Sequence, residues 1–341
     1  MSSRPTSLQF FIGLLLLASF ATSDTDTCDK GDKASKTCSR ILHGTAEYRK
    51  LIQRFNHKHG LTRQIDKICI KESYCLVVRD TIHREELQRH FVTDDVMTSE
   101  AVIEIPNVID DEIDTSKWSI DKSRLVYQSD TASMIEEMFT SGAVEMSRDA
   151  EAQVLFVGMG AGFMNTYTHH MYPKINITAV EIEPKMLEIA TKWFGLEQDE
   201  RHRVIIEDGV KFLRRAVENG HKYDAIQVDV CNLDPEFDIL CPIEKFLKAE
   251  VIDHLSKLIN EKGVVIVNTY SKEPAKNKEV EVKHAYMRSF RHCFTYLSPF
   301  SAHSRNMIMA CSNKERPDGL RGKYVKFANY PKKYYKLYQI L

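Results

Sequence analysis

Neither sign of charge prevails in this sequence: 47 Lys and Arg stand against 48 Asp and Glu, a formal net charge of -1. Such a balance supplies no global field for nucleic acid or an anionic membrane, so no nucleic-acid partner is expected. No apolar run reaches the roughly 20 residues that a spanning helix needs, so no stable membrane span is expected either. C-x-x-C and H-E-x-x-H are both missing, although the chain has 8 cysteines and 13 histidines. No metal site is therefore predicted. Internal repeats are absent too. With 43% hydrophobic and 28% charged residues, the composition excludes disorder and collagen-like structure. The 341 residues suit one large domain or two modest ones.

What is present begins with Arg4, followed by the apolar run Phe10-Phe11-Ile12-Gly13-Leu14-Leu15-Leu16-Leu17 and small residues at Ala18, Ser19, Ala21 and Ser23. These zones read as a secretory signal peptide over residues 1–23, cleaved after Ala21 or Ser23. An uncleaved anchor is the alternative, and the shortness of the run argues against it. No KDEL-type signal occurs at Tyr338-Gln339-Ile340-Leu341. The expected location is the secretory pathway or the cell exterior. All the cysteines (28, 38, 69, 75, 231, 241, 293 and 311) lie beyond the expected cleavage point. An oxidising lumen permits them to form disulfides, and spacing leaves the pairing open. Asn176-Ile177-Thr178 is a glycosylation sequon inside a predicted strand.

Along the chain, residues 24–40 are polar. Gly44 to His59 reads as a short helix with Tyr48, Leu51, Ile52 and Phe55 on one face. Cys69–Val78 and Ala101–Ile105 read as strands separated by a charged stretch, and Leu125–Gln128 as another strand. A helix is predicted over 131–146. Residues 24–149 thus form an N-terminal extension and a small β-rich module. From residue 150 the pattern alternates: strands at Gln153–Val157, Ile175–Ile182, Val204–Ile206, Ala225–Val228 and Val264–Val267 are separated by amphipathic helices. This predicts an α/β fold, a Rossmann-like parallel sheet with helices on both faces, over 150–312. Phe294–Leu297 and Met307–Ala310 are expected to pair antiparallel at its end. The tail, 313–341, interleaves basic residues with Tyr324, Phe327, Tyr330, Tyr334, Tyr335 and Tyr338, and reads as a helical tail packing its aromatics on the body.

The chemistry gathers at strand ends. Gly158-Met159-Gly160-Ala161-Gly162 follows the first strand of the alternating part, where glycines permit a tight turn and close ligand approach. Gly158, Gly160 and Gly162 are the candidate cofactor-binding glycines; an ordinary strand–helix turn is the bland alternative. Glu181 ends the second strand, placed to accept both hydroxyls of an adenosine ribose. A dinucleotide fingerprint would need a small residue at 163, but Phe163 stands there, which favours S-adenosylmethionine. Asp208 follows the third strand and reads either as an acceptor for the adenine amino group or as a helix cap, two compatible roles. Asp229, at the end of the fourth strand, is the candidate catalytic residue, able to hold or deprotonate an amine. Asp234, before Pro235, is a weaker candidate that serves equally as a turn former.

Phe156–Gly162, Ala179–Glu188, Ala190–Gly195 and Asp229…Asp234-Pro235…Cys241-Pro242 together resemble class I S-adenosylmethionine-dependent methyltransferases of the spermidine-synthase-like branch. Within it, the similarity is to the C-terminal domain of elongation factor 1-alpha lysine and N-terminal methyltransferases. The resemblance covers roughly residues 150–312. It implies a Rossmann-like sheet closed by an antiparallel hairpin, and cofactor contacts from Gly158, Gly160, Glu181 and Asp208. It also implies that Cys241 is a less certain disulfide partner, since Cys-Pro occurs in intracellular relatives as well. Aminopropyltransferases of this fold carry Asp in the glycine turn where this chain has Ala161, which argues against spermidine synthesis. The expected function is methyl transfer to an amine or protein acceptor. A secreted, inactive binding protein on the same scaffold and an aminopropyltransferase are the alternatives.

Overall fold

The structure is a computed structural model that describes residues 43–71, 74–83, 85–93, 96–126, 129–232, 237–271, 278–297 and 306–328. The expected signal peptide, Cys28, Cys38, Asp234-Pro235 and the tail beyond 328 lie outside these residues.

Helix α1, Ala46–His59, begins where the Thr45 hydroxyl accepts the Tyr48 N–H at 3.2 Å. Its stripe of Tyr48, Leu51 and Phe55 is buried against a four-stranded antiparallel meander. The strands are β1 (Thr62–Lys71), β2 (Tyr74–His83), β3 (Glu86–Thr93) and β4 (Val96–Val102), paired in sequence order. The predicted single strand Cys69–Val78 is therefore a hairpin, and Cys69 pairs in register with Cys75 through a disulfide. The charged stretch expected to be a separator contains β3, every residue of which is buried. Burial is tolerated there because the charges are paired: Arg89 donates to both oxygens of Asp80, at 2.8 and 3.0 Å. β4 ends three residues before the expected Ile105, and Ile103 bridges Ile120 instead. Leu125 and Val126 are irregular chain rather than strand; buried Val126 shows that the apolar run serves packing.

Helix α2, Asp130–Thr140, is capped by the Ser129 hydroxyl and stops well short of the predicted residue 146. The alternating part then follows: β5 (Gln153–Val157), α3 (Phe163–Met171), β6 (Asn176–Glu181), α4 (Pro184–Trp193), β7 (His202–Ile206), α5 (Gly209–Glu218) and β8 (Tyr223–Val228). After a short strand β9 (Ile239–Cys241) and a 3-10 turn come α6 (Ala249–Leu258), β10 (Ile259–Ser271), α7 (Lys278–Tyr286), β11 (His292–Leu297), β12 (Met307–Ser312) and α8 (Leu320–Phe327). The apolar residues at helical spacing from Phe246 to Ile259 are thus divided among three elements: Phe246 and Leu247 sit in the 3-10 turn, Val251, Leu255 and Leu258 in α6, and Ile259 opens β10.

The large sheet has the order β11-β12-β10-β8-β5-β6-β7, with β9 pairing on β10. Strands β10, β8, β5, β6 and β7 are parallel, and β12 and β11 close the edge antiparallel. Alternate residues of β10 feed opposite faces. Val264 and Ile266 join a core with Met134, Phe163 and Ile189 from α2, α3 and α4. Val265 and Val267 join one with Phe212, Leu255 and Tyr286 from α5, α6 and α7. Cys293 and Cys311 face each other across β11 and β12 and are disulfide-bonded. Tyr324 and Phe327 of α8 pack on Phe139 at ring distances of 5.6 and 5.8 Å, so these two aromatics of the basic segment do lie on the body. Arg316 clamps the same segment to buried Glu137 with a two-pronged ion pair at 2.7 and 3.0 Å.

Candidate functional site

β6 lies on one side of β5 and β8 on the other, although β5 and β6 are consecutive in sequence. Strand order reverses there, and such switch points open a crevice at the carboxyl ends of the strands. Gly158, Gly160, Gly162, Glu181, Asp208 and Asp229 are each at or just beyond such an end.

The turn from β5 to α3 has left-handed φ angles at Gly158, Gly160 and Gly162. At Gly158 φ is +83°, and a Cβ there would overlap the backbone carbonyl oxygen of Asp229. The two strand ends are stitched by the Asp229 N–H, which donates to the Val157 carbonyl at 2.9 Å. Gly162 starts α3 without a side-chain cap, so the N-cap residue supplies no acceptor to the first-turn N–H groups. That combination suits an anionic group on a ligand. The small sheet contributes here as well, since the Ser99 hydroxyl of β4 accepts the Ala161 N–H at 3.3 Å. Nothing in the sequence marked Ser99.

Glu181 is buried and turned toward the glycine turn. One carboxylate oxygen accepts the N–H of Met159 at 3.0 Å and of Gly160 at 3.3 Å. The other accepts those of Ile182 and Glu183, at 2.9 and 3.0 Å. Asp208 caps α5, accepting the Val210 N–H at 2.8 Å, and its second oxygen lies 3.5 Å from the Lys245 ammonium. Burial works against its charge, but the two backbone donors and Lys245 outweigh it and hold the carboxyl below its ordinary range. The cap reading of Asp208 is thus realised.

Asp229 accepts a hydrogen bond from the Asn268 amide at 2.8 Å, delivered from neighbouring β10. Burial pushes its carboxyl up, Asn268 pulls it back, and the carboxylate of Asp130 at the start of α2 pushes it further up. A carboxylate made more basic in this way is better fitted to hold or take a proton. Cys231 Sγ lies 3.6 Å from Asp229 and is disulfide-bonded to Cys241. The expectation that Cys241 would be a less certain partner is thereby corrected: β9 and the end of β8 bring the two cysteines together. Asp130, Asn268 and the Cys231–Cys241 pair escaped sequence reading, because each gains meaning only through contacts across the sheet. Among the described residues, no group of three or more His, Cys, Asp and Glu could hold a metal ion.

Fold and site together define a Rossmann-like α/β protein with acidic side chains around a switch-point crevice. The chain belongs to the spermine/spermidine synthase domain family, whose profile matches residues 133–318. It is 32% identical over 170 residues to the eEF1A lysine and N-terminal methyltransferase homolog of Drosophila melanogaster, covering 50% of this chain and 24% of that protein. This chain thus matches only about a quarter of that relative's length. Among solved structures it resembles human methyltransferase-like protein 13 in complex with SAH, at 25% identity and a TM-score of 0.51, over 60% of this chain and 91% of that one. A "probable spermidine synthase" from Corynebacterium glutamicum aligns with a TM-score of 0.54 over 78% of this chain and 86% of that one; at 15% identity it speaks for the fold alone.

Proposed function

We propose that this protein is an S-adenosylmethionine-dependent methyltransferase acting on an amine of a protein or small-molecule acceptor. The observation that carries the reading is the placement of the Gly158–Gly162 turn, Glu181, Asp208 and Asp229 at the adjoining carboxyl ends of β5, β6, β7 and β8. Similarity to methyltransferases on both sequence and structure supports it. Aminopropyl transfer is disfavoured because buried Ala161 offers no carboxylate in the glycine turn.

The residues fit this donor. The uncapped start of α3 suits a carboxylate, and Glu181 and Asp208 suit ribose and adenine donors. Ribose hydroxyls would be accepted at Glu181 at the expense of its longest bond, the one from Gly160. When bound, S-adenosylmethionine supplies an activated methyl group to a nucleophilic nitrogen. Asp229 then has two tasks: to hold the acceptor nitrogen in line and to receive the proton that it sheds. Asn268 fixes the carboxylate's orientation.

We further propose residence in the secretory pathway. Three cysteine pairs are disulfide-bonded among the described residues, which suits an oxidising compartment, and the Phe10–Leu17 run suits a leader. Mass spectrometry of the native N-terminus tests this, and an intact residue 1–23 segment on a cytosolic protein would refute it.

The function is tested by tritiated methyl transfer to protein extracts and to free amines. Asp229→Asn is expected to bind the donor almost normally and to transfer about 100-fold more slowly or worse. Equal turnover by the variant would remove Asp229 from the mechanism.

A further inference from the structure

At the end of the large sheet opposite the crevice, Ile259 of β10 pairs with Tyr223, the first residue of β8. Ser312, the last residue of β12, pairs with Val264 on one side and His292 on the other. The residue before β8, the start of β10, the α7–β11 connection and the residues after β12 therefore meet at this end. They line an open cleft of about 890 Å³, within the size range of ligand sites. Lys222, Arg288, Arg291 and Lys314 face a single carboxylate there, that of Glu261.

Four cations to one anion is a local departure in a chain with 47 basic and 48 acidic residues. Elsewhere arginines find carboxylates of the same chain: Arg63, Arg89, Arg124, Arg215 and Arg316 are each ion-paired. Arg288, Arg291 and Lys314 are exposed and have no ion-pair partner among the described residues. Lys222 is anchored, since its ammonium donates to the Lys257 carbonyl in the last turn of α6, and it keeps two N–H donors. Like charges gathered in this way repel one another, and a bound anion removes that cost.

The cations come from three separate segments, so their complement carries several anionic groups and is not one small ion. Neutral polar groups line the same walls. Asn313 turns its oxygen to the Arg291 N–H at 3.3 Å and keeps its NH₂ as a donor. Asn260 gives its NH₂ to Asp224 at 2.7 Å and keeps its oxygen as an acceptor. Such groups beside cations suit a polyanion that also bears hydroxyls. Ile259 and Phe290 of the wall are buried, which leaves Met287 as its exposed apolar side chain and offers little to anchor a peptide.

We propose that this cleft binds a sulfated glycan, with Arg288 and Arg291 as sulfate ligands and Asn260 and Asn313 toward sugar hydroxyls. A guanidinium suits this task because its fork donates two parallel N–H bonds to one oxyanion. The choice of a glycan rests on the proposed residence in the secretory pathway, where sulfated glycans are made and displayed; the anion site itself does not. A glycan bound at this end tethers the protein and leaves the crevice at the other end open.

The test titrates the purified mature protein with a heparin hexasaccharide, its fully desulfated form and hexaglutamate, by calorimetry, with thermal midpoints recorded alongside. Wild type is compared with Arg288→Ala/Arg291→Ala, with Lys314→Glu, and with Lys323→Ala/Lys326→Ala, a pair of exposed α8 lysines that do not line the cleft. Wild type and the α8 pair should bind the sulfated hexasaccharide alike, and the two cleft variants about tenfold more weakly or worse. Lys314→Glu, on a different segment, carries the test should the arginine pair perturb the α7–β11 connection. Raising salt from about 0.05 to about 0.3 M should weaken wild-type binding at least about tenfold, through screening and counterion release. No binding by wild type, an equal loss in the α8 pair, or unchanged binding in both cleft variants would overturn the cleft. Equal binding of the desulfated form would overturn the sulfate assignment, and tighter binding of hexaglutamate would give the cleft to an acidic peptide instead. These titrations do not involve the native N-terminus, so the glycan site can fail while the secretory reading stands, and the reverse.

Discussion

The Glu181 carboxylate accepts the N–H of Met159 at 3.0 Å, tying the end of β6 to the glycine turn beyond β5. The same side chain takes three further backbone N–H groups, from Gly160, Ile182 and Glu183. Glu181 thus shapes the crevice before any ligand enters it. Glu181→Ala should cost donor affinity about ten- to a hundredfold, as expected for loss of charge-assisted hydrogen bonds. It should also lower the thermal midpoint, because the four donors are left to water. An unchanged dissociation constant for S-adenosylhomocysteine would remove Glu181 from the site.

Arg89 joins the small sheet to the large one. Besides its pair with Asp80, it donates to the carbonyls of Thr115 at 2.7 Å and of Trp118 and Trp193 at 3.2 Å. Its guanidinium also stacks 5.3 Å from the Trp193 ring, which terminates α4. Removing one member of such a buried network leaves an uncompensated charge and several unsatisfied carbonyls. Arg89→Leu should therefore destabilise the fold by about 3–5 kcal/mol, measured by urea unfolding. A loss below about 1 kcal/mol would show that the network adds nothing to docking of the sheets.

Two buried histidines set the acid side of the stability curve. Burial pushes His202 and His90 each down to about 4. Unfolded, each would titrate near about 6.5. Between these values the unfolded chain binds protons that the folded one refuses, so stability is full above about 6.5 and is lost as pH falls toward 4. Each ring contributes a slope of up to about 1.4 kcal/mol per pH unit. His202→Gln, which keeps a partner for Asn165, should flatten that slope in urea titrations at pH 7, 6 and 5. A slope equal to that of wild type would mean that His202 does not stay neutral in the folded state.

The alternation of short strands and helices from Gln153 onward was legible because its central strands β5, β6 and β8 are buried on both faces and read as apolar runs. Glu181, Asp208 and Asp229 were legible because they follow such runs directly. β3 was not, since Arg89 looks solvent-facing until its partners arrive from β2, the Thr115–Trp118 segment and α4, and Glu86 until Arg124 reaches it. Leu125–Val126 misled in the opposite direction, since local β propensity without a neighbouring strand gives no ladder. Asp130 and Asn268 lie 99 and 39 residues from Asp229 in sequence, so only the strand order and the hydrogen bond from the Gln227 amide to the Met134 carbonyl of α2 reveal that they belong with it.

The central claim is that the crevice takes a sulfonium nucleoside as methyl donor, and calorimetry on the purified mature protein tests it most directly. S-adenosylmethionine, S-adenosylhomocysteine and decarboxylated S-adenosylmethionine are each titrated at pH 7.5. The account predicts saturable binding of the first two, with dissociation constants of about 1 µM to 1 mM, and weaker binding of the decarboxylated form, which lacks the carboxylate for the start of α3. Preference for the decarboxylated form, or no heat with any of the three, would contradict it.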